Sequence, residues 1–257
     1  MSIRLKVALP YLLLTVVVSL IGVYVVTRLV TGTLRERLIN QVLEAGRVVS
    51  DNFVRLEVQH VLTARRIAYT QGMADALLAE DRAAVRTLVE PIFGEGEIGN
   101  LILISPQGNE IIHLISDGEG AIQYVEQSIG AANLAIVAPF LKDRDAEAPP
   151  RRSLGGNRVN QDTYYYTALP VALDDEFYGV IIVGTSMQRL LPTLKAVALA
   201  DIVIYAHEGQ AIATTLGMGD PSALELLTIS RQEYGEILVS DDFVTGENFP
   251  LNERFYM

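Results

Sequence analysis

The stretch from Val7 to Val26 constrains this chain most, because its twenty residues are mostly apolar. At a rise of ~1.5 Å per residue, a helix of this length crosses a hydrocarbon layer of ~30 Å. Arg4 and Lys6 precede the run, and basic residues before a first membrane helix favour a cytoplasmic N-terminus. The sequence therefore predicts a cytoplasmic segment at residues 1–6, a single anchor in the inner or plasma membrane at residues 7–30, and an extracytoplasmic body.

The alternative to an anchor is a cleaved signal peptide. The run is long for the apolar part of a signal peptide, and no cleavage site of the Ala-x-Ala type follows it. Instead, Thr27 to Val30 lead directly into a helical pattern. These features favour an uncleaved anchor.

Charge and composition limit what the exported body can do. Residues 1–37 carry five basic residues and one acidic residue, a net charge of +4. Because the whole chain has a net charge of −11, the remaining residues carry −15. Such an acidic body does not suit nucleic-acid binding or contact with anionic lipid. The chain has no Cys, which excludes disulfides, thiolate nucleophiles and Cys-ligated metals, and it has no Trp. The remaining length is enough for one large core or two small ones.

Beyond the anchor, the apolar pattern is helical. From Leu34 to Ile67 apolar residues recur at spacings of four, four and three, an eleven-residue repeat of about 3.67 residues per turn. This pattern predicts a long, nearly straight stalk helix over residues 31–70. The stripe from Leu34 to Phe53 is wider than one domain face needs, so we predict a parallel homodimer contact there. A second helix is predicted over Asp81 to Ile92, with Asp81 as its N-cap.

A β-hairpin pattern occurs twice in the chain, at an offset of 101 residues. In residues 101–115 two short apolar strands flank a turn that contains Gly108, and in residues 202–213 two more flank a turn that contains Gly209. A repeat of this length indicates domain duplication rather than a solenoid.

Further elements are predicted between and after the hairpins. Strands are expected at residues 133–140, 163–169 and 177–184, and Met187 to Leu199 is expected to form a helix that connects the two repeats. The polar residues 142–162 are predicted to form one long loop, and loops of this length are usually functional or disordered.

The pattern of residues 200–257 predicts only part of a second unit. Ser230 and Glu233 have the spacing of a helix capping box. Phe243–Val244 and Arg254 to Met257 resemble the starts of strands. We therefore expect this chain to be the N-terminal part of a longer protein.

Elements in this order resemble a double Cache domain, the extracytoplasmic relative of PAS domains in bacterial membrane signal-transduction proteins. The matching features are the membrane helix, the long helix after it, both hairpins, and the strand pair Tyr164 to Val171 and Phe177 to Val183 with its Pro-Val … Tyr-Gly-Val-Ile pattern. The resemblance implies an α+β fold. In it, a transmembrane helix continues into a long helix that carries two PAS-like antiparallel-sheet units, a membrane-distal one at residues 71–199 and a truncated membrane-proximal one at residues 200–257.

The resemblance also implies a function. In this family the ectodomain binds a small ligand, usually in the membrane-distal unit, and a second membrane helix relays the change to kinase, chemoreceptor or cyclase modules. This chain would then be a small-ligand sensing module, with any catalytic output C-terminal to it. Amino-acid-binding members carry an Arg–Trp–Tyr set and an Asp near the end of the last strand. Here Tyr124 lies in the first region, Trp is absent and the Asp position falls on Gly184, so we do not expect an α-amino-acid ligand.

Three consecutive tyrosines form the most distinctive cluster. In a strand, Tyr164 and Tyr166 share one face while Tyr165 takes the other. A tyrosine offers an apolar ring and a hydroxyl, as a small-ligand pocket requires, although ordinary sheet packing would explain the same pattern. We predict a site for a small polar ligand beneath the loop of residues 142–162. Its candidate residues are Tyr124, Arg158, Asp162, Tyr164 and Tyr166.

Catalysis and metal binding find no positive support in the sequence. His60, His113 and His207 lack metal-ligand spacing, and each is expected to be hydrogen-bonded or solvated. No cofactor, metal or nucleic acid is expected. The alternative to a sensor is a membrane-tethered interaction or scaffold domain without a small ligand; an exported enzyme is a third class, for which the sequence offers no site.

Overall fold

The structure is a computed structural model, and it describes residues 3–95, 98–116, 121–157, 159–216, 221–239, 244–246 and 254–256. Of these, residues 3–12, 29–36, 38, 95, 221–223, 244–246 and 254–256 are described by their backbone alone. The chain divides into two compact units, residues 1–47 and residues 48–257. The described part of the first unit is helical.

Groups of helices and groups of strands follow one another along the chain. The helices are α1 (Ile3–Ala68), α2 (Met73–Leu78), α3 (Arg82–Glu95), α4 (Ala138–Asp143), α5 (Met187–Ala198), α6 (Pro221–Leu227) and α7 (Arg231–Val239). The strands are β1 (Asn100–Ile104), β2 (Glu110–Ser116), β3 (Ile122–Tyr124), β4 (Arg151–Gly156), β5 (Thr163–Leu173), β6 (Glu176–Ser186), β7 (Val203–Tyr205), β8 (Ala211–Thr214), β9 (Val244–Gly246) and β10 (Arg254–Tyr256). The α+β class predicted from the sequence is confirmed.

Helix α1 confirms the long helix predicted over residues 31–70 as far as Ala68. The predicted anchor also lies within this helix, although the side chains of its residues 7–12, 29 and 30 are outside the described set. Among the described residues, no helix combines the length and apolar character needed to cross a membrane.

The second unit is built on a six-stranded antiparallel sheet in the order β3-β2-β1-β6-β5-β4. Strands β5 and β6 form the predicted strand pair, joined by a tight turn at Asp174 and Asp175, whose φ angles are 51° and 64°. Strand β1 pairs with β6 from Asn100 opposite Gly184 to Ile104 opposite Val180. These pairings bring the start of β1 and the end of β6 together at one end of the sheet.

The two faces of the sheet have different coverings. The face that we call the helix face bears Leu101, Leu103 and Val183, which pack in one core with residues of α1, α2 and α3. The opposite face, which we call the loop face, bears Ile102 and Ile182 and packs against α4 and the short 3₁₀ turn Ala131–Asn133. Alternate residues of each central strand therefore belong to different cores.

The apolar stripe of α1 lies against the sheet within the second unit. Its residues there are Phe53, Leu56, His60, Ala64 and Ile67, and the last three are buried. Phe53 contacts the ring of Tyr165 edge-on, with centroids 5.3 Å apart. This part of the predicted helical periodicity is confirmed.

The predicted hairpin repeat is confirmed at the level of individual hydrogen bonds. In the first turn Ser105 N–H donates to the Asn109 carbonyl at 2.8 Å, and Gly108 N–H donates to the Ser105 carbonyl at 2.9 Å. The second turn, 101 positions later, repeats both bonds. Ala206 N–H donates to the Gln210 carbonyl at 2.8 Å, and Gly209 N–H donates to the Ala206 carbonyl at 3.3 Å. Gly108 and Gly209 have φ angles of 91° and 87°, a conformation that strongly favours glycine.

Both predicted helix caps are present. Asp81 Oδ1 accepts hydrogen bonds from the N–H groups of Ala83 and Ala84, each at 3.0 Å. Ser230 and Glu233 form the reciprocal capping box at the start of α7, with bonds of 2.8 and 3.2 Å.

Two predictions about the region over the loop face were wrong. Residues 133–140 do not form a strand, because α4 begins at Ala138 with Pro139 in its first turn, where a missing N–H costs nothing. Residues 142–162 are not one loop, since β4 occupies Arg151–Gly156 and pairs with β5. Strand β4 is a sheet edge with mostly polar or glycine residues, so it lacks the apolar alternation that marks a strand.

The terminal strands predicted near residues 243 and 254 correspond to β9 and β10, which pair antiparallel. Phe243 and Met257 themselves lie outside the described residues.

Candidate ligand-binding site

Tyr164 and Tyr166 lie side by side on the loop face, as their alternation predicts. Their rings stack with centroids 5.5 Å apart, and both side chains are buried. Gly184 makes room for the second ring, because a Cβ there would lie only 2.7 Å from Tyr166 Cδ1, while a Cβ at Gly99 would make ordinary contact with Tyr164 Cε1 at 3.5 Å. The tyrosine rings therefore form an apolar wall against the paired ends of β1 and β6.

The segment before β5 supplies polar groups to this wall. Asn160 Nδ2 donates to the Tyr164 hydroxyl at 2.8 Å, and Asn157 Nδ2 lies 3.4 Å from the Tyr166 hydroxyl. Burial raises the pKa of both tyrosines above the ordinary value, most strongly for Tyr166. Both hydroxyls are therefore neutral at physiological pH and can donate as well as accept hydrogen bonds.

Asp162 joins the same cluster from the chain just before β5. Its carboxylate is buried and accepts a hydrogen bond from the Ser186 hydroxyl at the end of β6. Its carbonyl accepts from the Asn157 N–H at 2.7 Å, which closes the turn that carries Asn160. The predicted residues Asp162, Tyr164 and Tyr166 are thus brought together by the structure.

Two further polar residues lie on this face that sequence reasoning missed as site residues. Asn100 and His113 are both buried, and Asn100 Nδ2 lies 3.1 Å from His113 Nε2. Burial lowers the pKa of His113 to about 4, against a smaller opposing effect of Glu110. The imidazole is therefore neutral at pH 7. Asn100 also adjoins the tyrosine wall, because its Cβ lies 3.4 Å from the position of a Cβ at Gly184.

The other two predicted residues do not join this cluster in the described structure. Tyr124 pairs with Leu114 across β3 and β2, so its side chain points to the helix face. There its hydroxyl donates to Glu90 of α3, and the Arg86 guanidinium lies 3.8 Å from its ring centroid. Arg158 lies outside the described residues.

His60 meets the expectation of a satisfied histidine. Its ring lies on the helix face, with Nδ1 3.0 Å from Thr167 Oγ1 and Nε2 2.8 Å from Thr185 Oγ1. Burial lowers its pKa to about 4. His113 differs from that expectation, because one of its ring nitrogens is buried without a partner.

A cavity of about 480 Å³ lies elsewhere. It is formed by the C-terminal end of α1, the segment before β4 and the β5–β6 turn, and its charged lining residues are Arg65, Glu147, Asp174 and Asp175. None of the five predicted site residues lines it. In the described portion of the chain, no group of three His, Asp or Glu side chains is arranged to hold a metal ion.

Comparison with known proteins places the fold. No protein-family model and no curated protein matches the sequence. A domain from a protein of the sensory box/GGDEF family of Vibrio parahaemolyticus is 12% identical, with a TM-score of 0.58 over 81% of this chain and 85% of that one. The extracellular domain of the histidine kinase vpHK1S-Z8 is 12% identical, with a TM-score of 0.59 over 85% and 91%.

A third similar structure is the sensory domain of the Campylobacter jejuni chemoreceptor Tlp3 with isoleucine bound. It is 14% identical, with a TM-score of 0.57 over 84% of both chains. The neighbours are thus sensory domains of kinases and chemoreceptors. The predicted resemblance is confirmed at the level of the fold: this chain has the fold of bacterial extracytoplasmic sensory domains.

Proposed function

We propose that this chain is the small-ligand sensing module of a transmembrane signalling receptor. The observation that supports the proposal is the buried polar cluster on the loop face, where Asp162, Tyr164 and Tyr166 converge with Asn100 and His113. A cluster of hydrogen-bonding groups set in apolar walls is the usual composition of a small-ligand site. Arg158, one residue beyond Asn157, is a further candidate contact.

The ligand would act by differential binding. A ligand seated against the tyrosine wall stabilises one arrangement of β5 and β6, and α1 is attached to the same two strands through His60. The long helix has two positions in equilibrium. The ligand shifts the free-energy difference between them by the difference between its binding free energies for the two states. We assign the ligand to residues 71–199 as the membrane-distal unit, with residues 200–257 as an incomplete membrane-proximal unit.

The ligand of this chain would differ from that of Tlp3, whose structure contains isoleucine. In amino-acid sensors of this kind we expect a carboxylate where this chain has Gly184. Here the Tyr166 ring already lies within 2.8 Å of the place that a side chain at position 184 would occupy. A small polar molecule without an α-ammonium group therefore suits this site better.

A membrane anchor and a homodimer complete the proposal. Between Leu13 and Val26 the described residues are exposed on all sides of α1, and apart from Thr15 and Ser19 they carry no polar aliphatic side chain, as a lipid-facing helix requires. Farther along, Val54, Val58 and Leu62 form an exposed apolar row opposite the stripe that packs on the sheet. Two such rows in parallel copies would bury each other. The predicted contact between Leu34 and Phe53 lies on the preceding part of the same helix.

A thermal-shift screen of small polar metabolites against the full chain tests the sensing function. A ligand at a hundred times its dissociation constant raises the free energy of unfolding by ~2.7 kcal/mol. Tyr166→Ala should abolish the shift, whereas Tyr165→Ala, which changes the neighbouring ring on the helix face, should leave it in place. If no compound stabilises the protein, the scaffold alternative is favoured.

A further inference from the structure

Asn100 and His113 present an unusual feature of the loop face. Within the part of the chain that the structure describes, two buried side-chain atoms have no hydrogen-bond partner, and they are Asn100 Oδ1 and His113 Nδ1. Asn100 is fully buried and His113 is 2% exposed. Buried polar atoms in native proteins nearly always have a partner, because an unmade bond costs the full desolvation of the group. Two unpaired atoms on two residues that contact each other therefore leave hydrogen-bonding capacity for a further partner.

The hydrogen bond between the two residues determines what that partner must be. When the Asn100 amide donates to His113 Nε2, the neutral ring carries its proton on Nδ1. The unpaired atoms are then one donor, Nδ1–H, and one acceptor, Oδ1. The opposite amide orientation makes Nε2 the donor and leaves an amide N–H and an unprotonated Nδ1. Either arrangement leaves one donor and one acceptor to be satisfied.

The surroundings of the pair favour an uncharged partner. Glu110, the acidic residue nearest His113 on β2, already accepts hydrogen bonds from Ser128 Oγ, Ile129 N–H and Ala131 N–H. Asp162 is likewise engaged by Ser186. The remaining neighbours named above are the ring of Tyr166 and the backbone of Gly184, which are apolar or already paired.

We propose that Asn100 and His113 together bind a neutral ligand group that both donates and accepts hydrogen bonds, namely a hydroxyl or a primary carboxamide. This inference rests on the proposed sensing function and specifies the ligand class: an uncharged polyol or amide, held by this pair and packed against the Tyr164–Tyr166 wall. A carboxylate would leave the acceptor unpaired, and an ammonium group would leave the donor unpaired. The pair therefore selects against both kinds of charged group.

Four probes of nearly equal size test the selection. Propionamide and propane-1,2-diol represent the two neutral groups, and propionate and propylammonium represent the charged ones. Each is titrated into the millimolar range, since compounds this small bind weakly. The readout is the ¹⁵N spectrum of histidine-labelled full-length protein in detergent micelles, where the His113 signal is identified by its loss in His113→Gln.

We expect at least one neutral probe to shift the His113 Nδ1 resonance, and neither charged probe to do so. His207, on the exposed turn of the second hairpin, provides the internal control and should not respond. Asn100→Leu should remove the response, and the wild-type titrations remain decisive if that variant does not fold. The response to the diol compared with the amide identifies which neutral group is preferred.

An unchanged His113 signal with both neutral probes overturns the inference and indicates that water alone completes the pair. A response to a charged probe equal to that of a neutral one also overturns it. The proposed sensing function would survive either result if a metabolite that needs Tyr166 is found in the thermal-shift screen. The two proposals can therefore fail separately.

Discussion

The ring of His60 lies between two threonines on neighbouring strands, with Nε2 2.8 Å from Thr185 Oγ1 on β6 and Nδ1 3.0 Å from Thr167 Oγ1 on β5. A neutral imidazole has one donor and one acceptor, and each threonine hydroxyl supplies whichever role is needed. The long helix is thus attached to both strands of the central hairpin by a single side chain.

Replacement of His60 should destabilise the second unit. His60→Leu leaves two buried threonine hydroxyls without this partner, and we expect a loss of about 2–4 kcal/mol in the free energy of unfolding. Val197→Ala, on the exposed side of α5, is the control and should change stability little. Chemical denaturation measures both.

A triple variant separates hydrogen bonding from packing in this contact. Adding Thr167→Val and Thr185→Val to His60→Leu removes every polar group of the contact, so much of the lost stability should return. A triple variant less stable than His60→Leu alone would contradict this account.

Acid should destabilise the protein through its two buried histidines. The pKa values of His60 and His113 are about 4 in the folded state, below the ordinary value of 6.5. The unfolded chain therefore binds more protons below pH 6.5, and stability falls as the pH drops from 6.5 towards 4. Each histidine contributes a loss of roughly 3 kcal/mol at pH 4.

The double variant His60→Leu/His113→Leu separates the contribution of the histidines to the pH dependence of stability from that of the carboxylates. The difference in unfolding free energy between wild type and this variant should shrink as the pH falls from 6.5 to 4, and stay constant above pH 7. A difference that does not depend on pH would refute the assignment.

Gly184 should not tolerate a side chain while Tyr166 is present. A Cβ at this position lies 2.7 Å from the buried Tyr166 ring, so Gly184→Ala should cost about 1–3 kcal/mol. Gly156→Ala, where a Cβ meets no heavy atom within 4 Å, is the matched control. In the background Tyr166→Ala, the cost of Gly184→Ala should largely disappear, which a double-mutant cycle measures.

The dimer contact can be tested by cross-linking, because the chain has no natural cysteine. A cysteine at Leu38 or Val42 should form a disulfide between copies under mild oxidation of membranes. A cysteine at Asp175, on the β5–β6 turn, should not. Lack of cross-linking at every position tested from Leu34 to Phe53 would favour a monomer.

The topology proposal is checked with protease added to intact spheroplasts. Because Arg4 and Lys6 precede the apolar run, the body beyond residue 40 should be digested from outside. The same treatment should spare a cytoplasmic marker. Complete protection of the body would refute the extracytoplasmic sensor.

Much of the fold follows from local patterns. The eleven-residue repeat predicted α1, and the Gly108 and Gly209 turns predicted both hairpins, because each pattern reflects a single backbone geometry. The segment at residues 133–140 was misassigned, since a short apolar run fits a strand or a helix equally well. The β4 strand was missed because an edge strand gains its hydrogen bonds from β5 without needing an apolar face.

The site was predictable only in part. Alternation along β5 placed Tyr164 and Tyr166 on one face, and the nearby Asp162 joined them. The contact between Asn100 and His113 depends on the pairing of β1 with β2, which brings together residues thirteen positions apart in sequence. No local signal in the sequence marks either residue as unpaired, because that property belongs to the assembled sheet.

The alternation of β5 has an evolutionary consequence. Residues 164 and 166 contact the candidate ligand site, whereas residues 165 and 167 contact α1, so the two sets are interleaved in sequence but separated by the thickness of the sheet. Substitutions in the first set can change what is recognised while the attachment of the helix is inherited unaltered. A single-residue insertion or deletion within this strand, by contrast, would exchange the two sets and destroy both roles at once. Descendants of such a domain are therefore expected to diverge in ligand by point substitution and to conserve the length of this strand.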